Sequence, residues 1–264
     1  MKDDGTYTVF ADDPRLVSTI GLHLDAGRNR LLAAVSDPGA GTRSTAATAG
    51  KLAARAIFDA RGSNAATPSS FVNLGALRPN AGHFANDIAV DAQGNAYVTD
   101  SFSPIIYKVD LQGVATVFYE NAAQATVPGQ FGFNGIVFHP GGYLLAVHST
   151  LGRLYKIPLG GSGAPTATAV TTTRSLAGGD GLLLQDNQTL LLVSNSQQTV
   201  FRLTSADSWA TTAVAGTFAT GDVFPTTLTR RGNSDVYVLY AYLGKLFGGV
   251  MPPQSTFTIN KIKF

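Results

Sequence analysis

Residues 133–158 read FNGIVFHPGGYLLAVHSTLGRLYKIP. Two apolar runs, 133–139 and 143–149, flank a Pro-Gly-Gly turn, and a third run, 153–158, follows a second turn containing Gly152. Short runs rich in Val, Ile, Leu and aromatics, punctuated by Gly and Pro, are the pattern of an antiparallel meander. The same succession recurs along the chain. Its first strand reads STIGLHLD (18–25), ANDIAVD (85–91), FNGIVFH (133–139), GDGLLLQ (179–185) and PTTLTR (225–230). Its second reads RLLAAVSD (30–37), NAYVTDS (95–101), YLLAVHS (143–149), TLLLVSN (189–195) and DVYVLYA (235–241). Third strands are AARAIFDA (53–60), IIYKVD (105–110), RLYKIPL (153–159), TVFRLTS (199–205) and TINKIKF (258–264).

Asn86 lies 48 residues before Asn134, which lies 46 before Asp180, which lies 45 before Pro225. A four-stranded unit repeating at ~40–50 residues is a propeller blade, and a fixed period favours this over a sandwich. The fourth strands read SFVNLG (70–75), VATVFYE (114–120), TATAVT (166–171) and TTAVAG (211–216). The predicted fold is therefore all-β, a single β-propeller domain over 1–264 with five four-stranded blades visible. The fifth repeat ends at its third strand. The alternating segment TYTVFAD (6–12) is predicted to supply the missing strand and close the ring, hiding edges that an open sheet exposes.

Composition narrows the function. Of 264 residues, 44% are hydrophobic and only 14% charged, with a formal net charge of +2. No basic run exceeds Arg230–Arg231, so neither a nucleic-acid nor a membrane-surface role has electrostatic support. The absence of cysteine excludes disulfides, thiolate chemistry and Cys-ligated zinc. A small-molecule substrate and a monomeric chain are the expectation.

In a propeller the first strand of each blade lines the central channel, so residues at its start emerge together at one mouth. Those starts are Ile20, Asn86, Asn134, Asp180 and Pro225. Two amides and a carboxylate on successive blades are oxygen donors of the kind that hard cations such as Ca²⁺ or Mg²⁺ select. Asn and Asp are also ordinary turn-formers, but three matching positions favour a polar site. His83, three residues before Asn86, is placed near the mouth, whereas His139 and His148 are assigned structural positions. The segment AYLGKLFGGVMPPQST (241–256) lacks strand alternation and reads as a hydrophobic wall or lid, or as a loop packed on its neighbours.

The motifs AND (85–87), NG (134–135) and DG (180–181), one blade apart, resemble the gluconolactonase and senescence-marker-protein-like family of calcium-dependent lactone hydrolases. The resemblance spans nearly the whole chain. It implies a divalent cation, expected to be Ca²⁺, at the channel mouth with Asn134 and Asp180 as metal ligands. It also implies Asp180 as general base and Asn86 and Thr226 as substrate-binding residues, which His83, placed near the mouth by its position, would join. The cation would polarise a lactone or ester carbonyl while Asp180 accepts a proton from water.

The family's first blade, with its metal-ligating Glu, has no counterpart. The only Glu of the chain, Glu120, ends an outermost strand. Two explanations stand open: a first blade lying before residue 1, or a genuine five-bladed ring with an altered metal site. A secreted or periplasmic location accompanies the former and a cytoplasmic one the latter. A non-catalytic propeller binding a small ligand or a protein, with an incomplete metal site, is the alternative function.

Overall fold

A computed structural model describes residues 5–61, 67–232, 235–252 and 254–264. Contacts gather in two compact units, Met1–Ala125 and Thr126–Phe264. With one parallel exception described below, the strands form small up-and-down sheets in chain order, and these are the blades of a five-bladed β-propeller.

The first unit holds two sheets. β1 (Ser18–Asp25), β2 (Arg30–Ser36), β3 (Ala53–Asp59) and β4 (Ser70–Asn73) make the first. β5 (Ala85–Val90), β6 (Ala96–Asp100), β7 (Ile105–Val109) and β8 (Ala115–Glu120) make the second. They pack face to face through Leu32, Ala34, Ala53 and Ile57 on one side and Ile88, Val98, Ile105 and Tyr107 on the other.

In the second unit, β9 (Phe133–His139), β10 (Tyr143–His148), β11 (Arg153–Pro158) and the short β12 (Thr168–Ala169) form the third sheet. β13 (Thr171–Thr172) leaves that sheet and pairs in parallel with β17 (Thr211–Ala219). β17 is the outer strand of the sheet that β14 (Gly179–Asp186), β15 (Thr189–Ser194) and β16 (Thr199–Thr204) complete. The fourth predicted strand of the third blade, 166–171, is thus split between two sheets. β18 (Pro225–Arg231), β19 (Asp235–Tyr240) and β20 (Thr258–Ile262) form the last sheet.

The run TLLLVS of β15 explains the packing of this unit. Leu190 and Leu192 turn toward the third sheet, meeting Leu145 and Val147. Leu191 and Val193 turn the other way, toward Leu228, Val236 and Val238 of the last sheet. A strand buried on both faces reads as an unbroken apolar run, and each such leucine contributes ~1.5–3 kcal/mol of burial.

The closing strand expected at 6–12 does not form. Residues 6–12 carry no strand, and the sheet of β18–β20 has three strands. The segment instead lies on its own unit. Phe10 meets the Phe58 ring edge-on at 5.9 Å, Asp12 pairs with Arg43, and Ala11 and Leu16 lie against the cluster of Ala33, Val35, Ala54 and Ala56. Its alternation serves an apolar sheet face, not a ladder.

Candidate functional site

All five first strands share one irregularity. In β5 the pairs Ala85–Asp100 and Ile88–Val98 leave Asn86 and Asp87 opposite the single residue Thr99. In β9, Asn134 and Gly135 oppose Val147. In β14, Asp180 and Gly181 oppose Val193. In β18, Thr226 and Thr227 oppose Leu239. In β1, Ile20 and Gly21 oppose Ala34. Each is a β-bulge, which bends the strand and re-aims a side chain. Ile20, Asn86, Asn134, Asp180 and Thr226 therefore hold one equivalent position, and the counterpart in the last sheet is Thr226, not Pro225.

The second bulge residue explains the NG and DG pairs. A Cβ on Gly135 would collide with the carbonyl oxygen of Asp180 and stand 2.9 Å from Leu182 N. A Cβ on Gly181 would stand 2.6 Å from Thr227 Cα and 2.8 Å from the Thr226 carbonyl oxygen. In the first unit, a Cβ on Gly21 would strike the Asn86 carbonyl. Neighbouring first strands thus touch bulge to bulge, backbone on backbone, and only glycine fits between. Within the second unit this brings Asn134, Asp180 and Thr226 onto three strands in direct succession.

A residue fifteen positions on holds each polar side chain. Asn86 Nδ2 donates to Ser101 Oγ at 2.9 Å. Asn134 Nδ2 donates to Ser149 Oγ at 3.1 Å. Asp180 Oδ2 accepts from Asn195 Nδ2 at 3.1 Å. Ser149 Oγ in turn donates to the carbonyl of Gly179, the residue before Asp180, and Ser36 Oγ donates at 2.8 Å to the carbonyl of Ala85, before Asn86. The serine contact fixes which way the Asn134 amide is turned, with its nitrogen toward Ser149. Asn86 and Asn134 are buried, at 8% and 5% exposure, while Asp180 and Thr226 are partly exposed. These serine and asparagine partners were not singled out from sequence; their signal was the polar residue that closes four of the five second strands.

Oxygen donors at Asn134, Asp180 and Thr226 suit a hard cation whose remaining positions are water. Among the described residues no group of three or more His, Cys, Asp or Glu side chains could hold a metal ion. Any cation here would depend on amide and hydroxyl oxygens beside one carboxylate. Glu120 lies at the end of β8 in an ion pair with Arg78 at 2.6 Å.

His83 is placed differently from the sequence expectation. Its ring is 2% exposed. Nδ1 lies 2.7 Å from Asp100 Oδ2 and Nε2 lies 2.9 Å from the Arg78 carbonyl oxygen. Tyr107 donates to the same Asp100 oxygen at 3.0 Å, and Asp100 Oδ1 accepts the Phe84, Phe102 and Ser103 amides. Burial works against protonation of His83, but the hydrogen bond and charge of Asp100, with the Arg78 carbonyl, win and raise its pKa. Both ring nitrogens face protein acceptors, so the ring offers no nitrogen to a ligand.

The segment after β19 forms a five-residue helix, α1 (Leu243–Phe247). Phe247 touches Phe224 edge-on at 6.0 Å, and Leu246, Phe247, Val250 and Met251 are all exposed.

No family model matches the chain, and no curated protein matches it. Solved structures do. The major Malassezia sympodialis allergen Mala s 1 aligns with a TM-score of 0.67 at 17% identity, over 86% of this chain and 73% of that one. A luciferin-regenerating enzyme aligns at 0.57 and 16% identity, over 86% and 85%. A putative 6-phosphogluconolactonase from Bacteroides uniformis aligns at 0.56 and 13% identity, over 90% and 69%. Of virginiamycin B lyase from Staphylococcus aureus, another match, the chain spans 63%. At these identities the likeness establishes the fold alone: the chain is a β-propeller.

Proposed function

We propose that the chain is a metal-dependent hydrolase of a lactone or related ester, with its site on the successive bulges of β9, β14 and β18. The observation that carries this is the placement of Asn134 and Asp180 at the same bulge position of touching strands, each braced by a residue fifteen positions on. Asn134 and Asp180 would hold a divalent cation, in keeping with Ca²⁺ and its oxygen preference. Such an ion supplies Lewis acidity toward a carbonyl oxygen. Asp180, partly exposed and steadied by Asn195, would accept a proton from an attacking water. Thr226 on the next bulge is assigned to substrate contact. Asn86, with the same bulge and the same serine brace, is the substrate-binding candidate of the first unit.

The names of a luciferin-regenerating enzyme and a 6-phosphogluconolactonase among the structural neighbours agree with this class. The test is metal content of the purified protein together with hydrolysis of an aldonolactone, with and without chelator, in wild type and D180N. Stoichiometric metal and chelator-sensitive turnover, both lost in D180N, are expected. Neither metal nor turnover would leave a non-catalytic ligand-binding propeller, a reading that the ion-paired, unavailable Glu120 favours.

A further inference from the structure

A second constellation lies in the first unit, outside the bulges. A cavity of about 530 Å³ opens beside β3, lined by Arg28, Arg30, Phe58, Ser69, Ser70 and Leu111 among others. Behind it sits Arg55, on the face of β3 that Ala53 and Ile57 turn toward the second sheet. Arg55 is 2% exposed. Its Nη2 donates to Ser70 Oγ at 3.3 Å, and its Nε has no hydrogen-bond partner.

Five other arginines of this unit are paired with carboxylates. Arg15 pairs with Asp13, Arg43 with Asp12 and Arg78 with Glu120, while Arg28 and Arg30 share Asp25. Arg55 is more deeply buried than any of these and makes no ion pair among the described residues. Burial pulls its pKa down to about 10, Arg30 adds to that, and Asp110 opposes it through space. The group stays protonated at neutral pH. A buried, uncompensated charge is costly, and a partner of opposite sign removes much of that cost.

The chemistry of the wall is suited to such a partner. Ser70 Oγ accepts from the guanidinium, which leaves its own proton to be donated to another acceptor. The Asp59 carboxylate, also on the rim, is occupied by Asn29 Nδ2 and the Arg61 amide. Phe58 and Leu111 supply an apolar flank.

We propose that this cavity binds a small oxyanion, a carboxylate or phosphate group, with Arg55 acting through the Ser70 hydroxyl and with Phe58 and Leu111 flanking the apolar remainder of the ligand. The site is independent of the bulge residues.

The experiment is calorimetric titration of the full chain with inorganic phosphate and, separately, benzoate, at ionic strength fixed with sodium chloride. Wild type, R55M and S70A are compared. Saturable binding by wild type is expected, weakened at least tenfold in R55M and several-fold in S70A. Without anion, R55M should melt at or above the wild-type temperature, because an unpaired buried charge has been replaced by a side chain of similar volume. Phosphate binding alone assigns a phosphate ligand; benzoate binding alone assigns a carboxylate. No saturable binding of either anion by wild type overturns the proposal, as does binding that both R55M and S70A leave unchanged. Should R55M fail to fold, S70A decides the question.

Discussion

Gly135 and Asp180 meet backbone to backbone, with the α-carbon of the first set against the carbonyl oxygen of the second and no room for a methyl group between them. That approach sets the spacing of the β9 and β14 bulges, and so of Asn134 and Asp180. The substitution G135A forces one strand away from the other. A loss of about 1–3 kcal/mol in urea unfolding is expected, the usual cost of overpacking. G160A is the control: nothing lies within 4 Å of a Cβ there, and its effect should stay within about 0.5 kcal/mol.

Ser149 holds the Asn134 amide and, through its own proton, the Gly179 carbonyl. S149A leaves both without this partner, at a cost of about 1–3 kcal/mol. If Asn134 is a metal ligand, metal affinity should also fall by about 10–100-fold, as when the outer support of a ligand is removed. Competition against a coloured chelator reads this directly. Unchanged affinity in a folded S149A protein would count against Asn134 as a ligand.

His83 predicts a pH dependence of stability. Its pKa in the folded chain is raised above the ordinary value of about 6.5 by Asp100 and the Arg78 carbonyl, against the pull of burial. Its contribution is fully present below that ordinary value and is lost as pH rises through the folded value. His23 works in the opposite sense, since burial lowers its pKa. The measurement is therefore the difference in urea midpoint between wild type and H83Q from pH 5 to 9. The wild-type advantage should shrink with rising pH; a constant difference would refute the charged pair.

Trp209, the only tryptophan, is 1% exposed and donates from Nε1 to the Asn187 carbonyl at 3.0 Å. His139 Nε2 stands 2.9 Å from the same oxygen. Its emission should be blue-shifted in the native chain and move to the red on unfolding. W209A should cost about 3–5 kcal/mol, the usual range for emptying a buried aromatic site.

The repeat was legible because strands buried on both faces, such as TLLLVS, leave no ambiguity about length or neighbours. The equivalence of Asn86, Asn134 and Asp180 was legible because each residue stands at the start of a first strand. The bulges were not, because whether two residues face one partner or two depends on the neighbouring strand. For the same reason the glycines of NG and DG looked like a chemical signature, whereas their physical role is close approach. His83 sits near Asn86 in sequence, yet its ring is claimed by Asp100, seventeen residues on. TYTVFAD alternates as a strand does, but alternation cannot tell a ladder partner from an apolar face to lie on.

The parallel pairing of Thr171 and Thr172 with Thr211 and Thr212 has a consequence for synthesis. Emerging from the ribosome, the chain presents β13 about forty residues before its partner strand exists. The third sheet cannot settle its outer margin until the fourth is nearly finished, so these two modules should mature as one. Once both are in place, each is latched to the other by main-chain bonds as well as by side chains. Amide exchange at Thr171, whose N–H donates to Ala210, should accordingly slow only when the fourth module has closed.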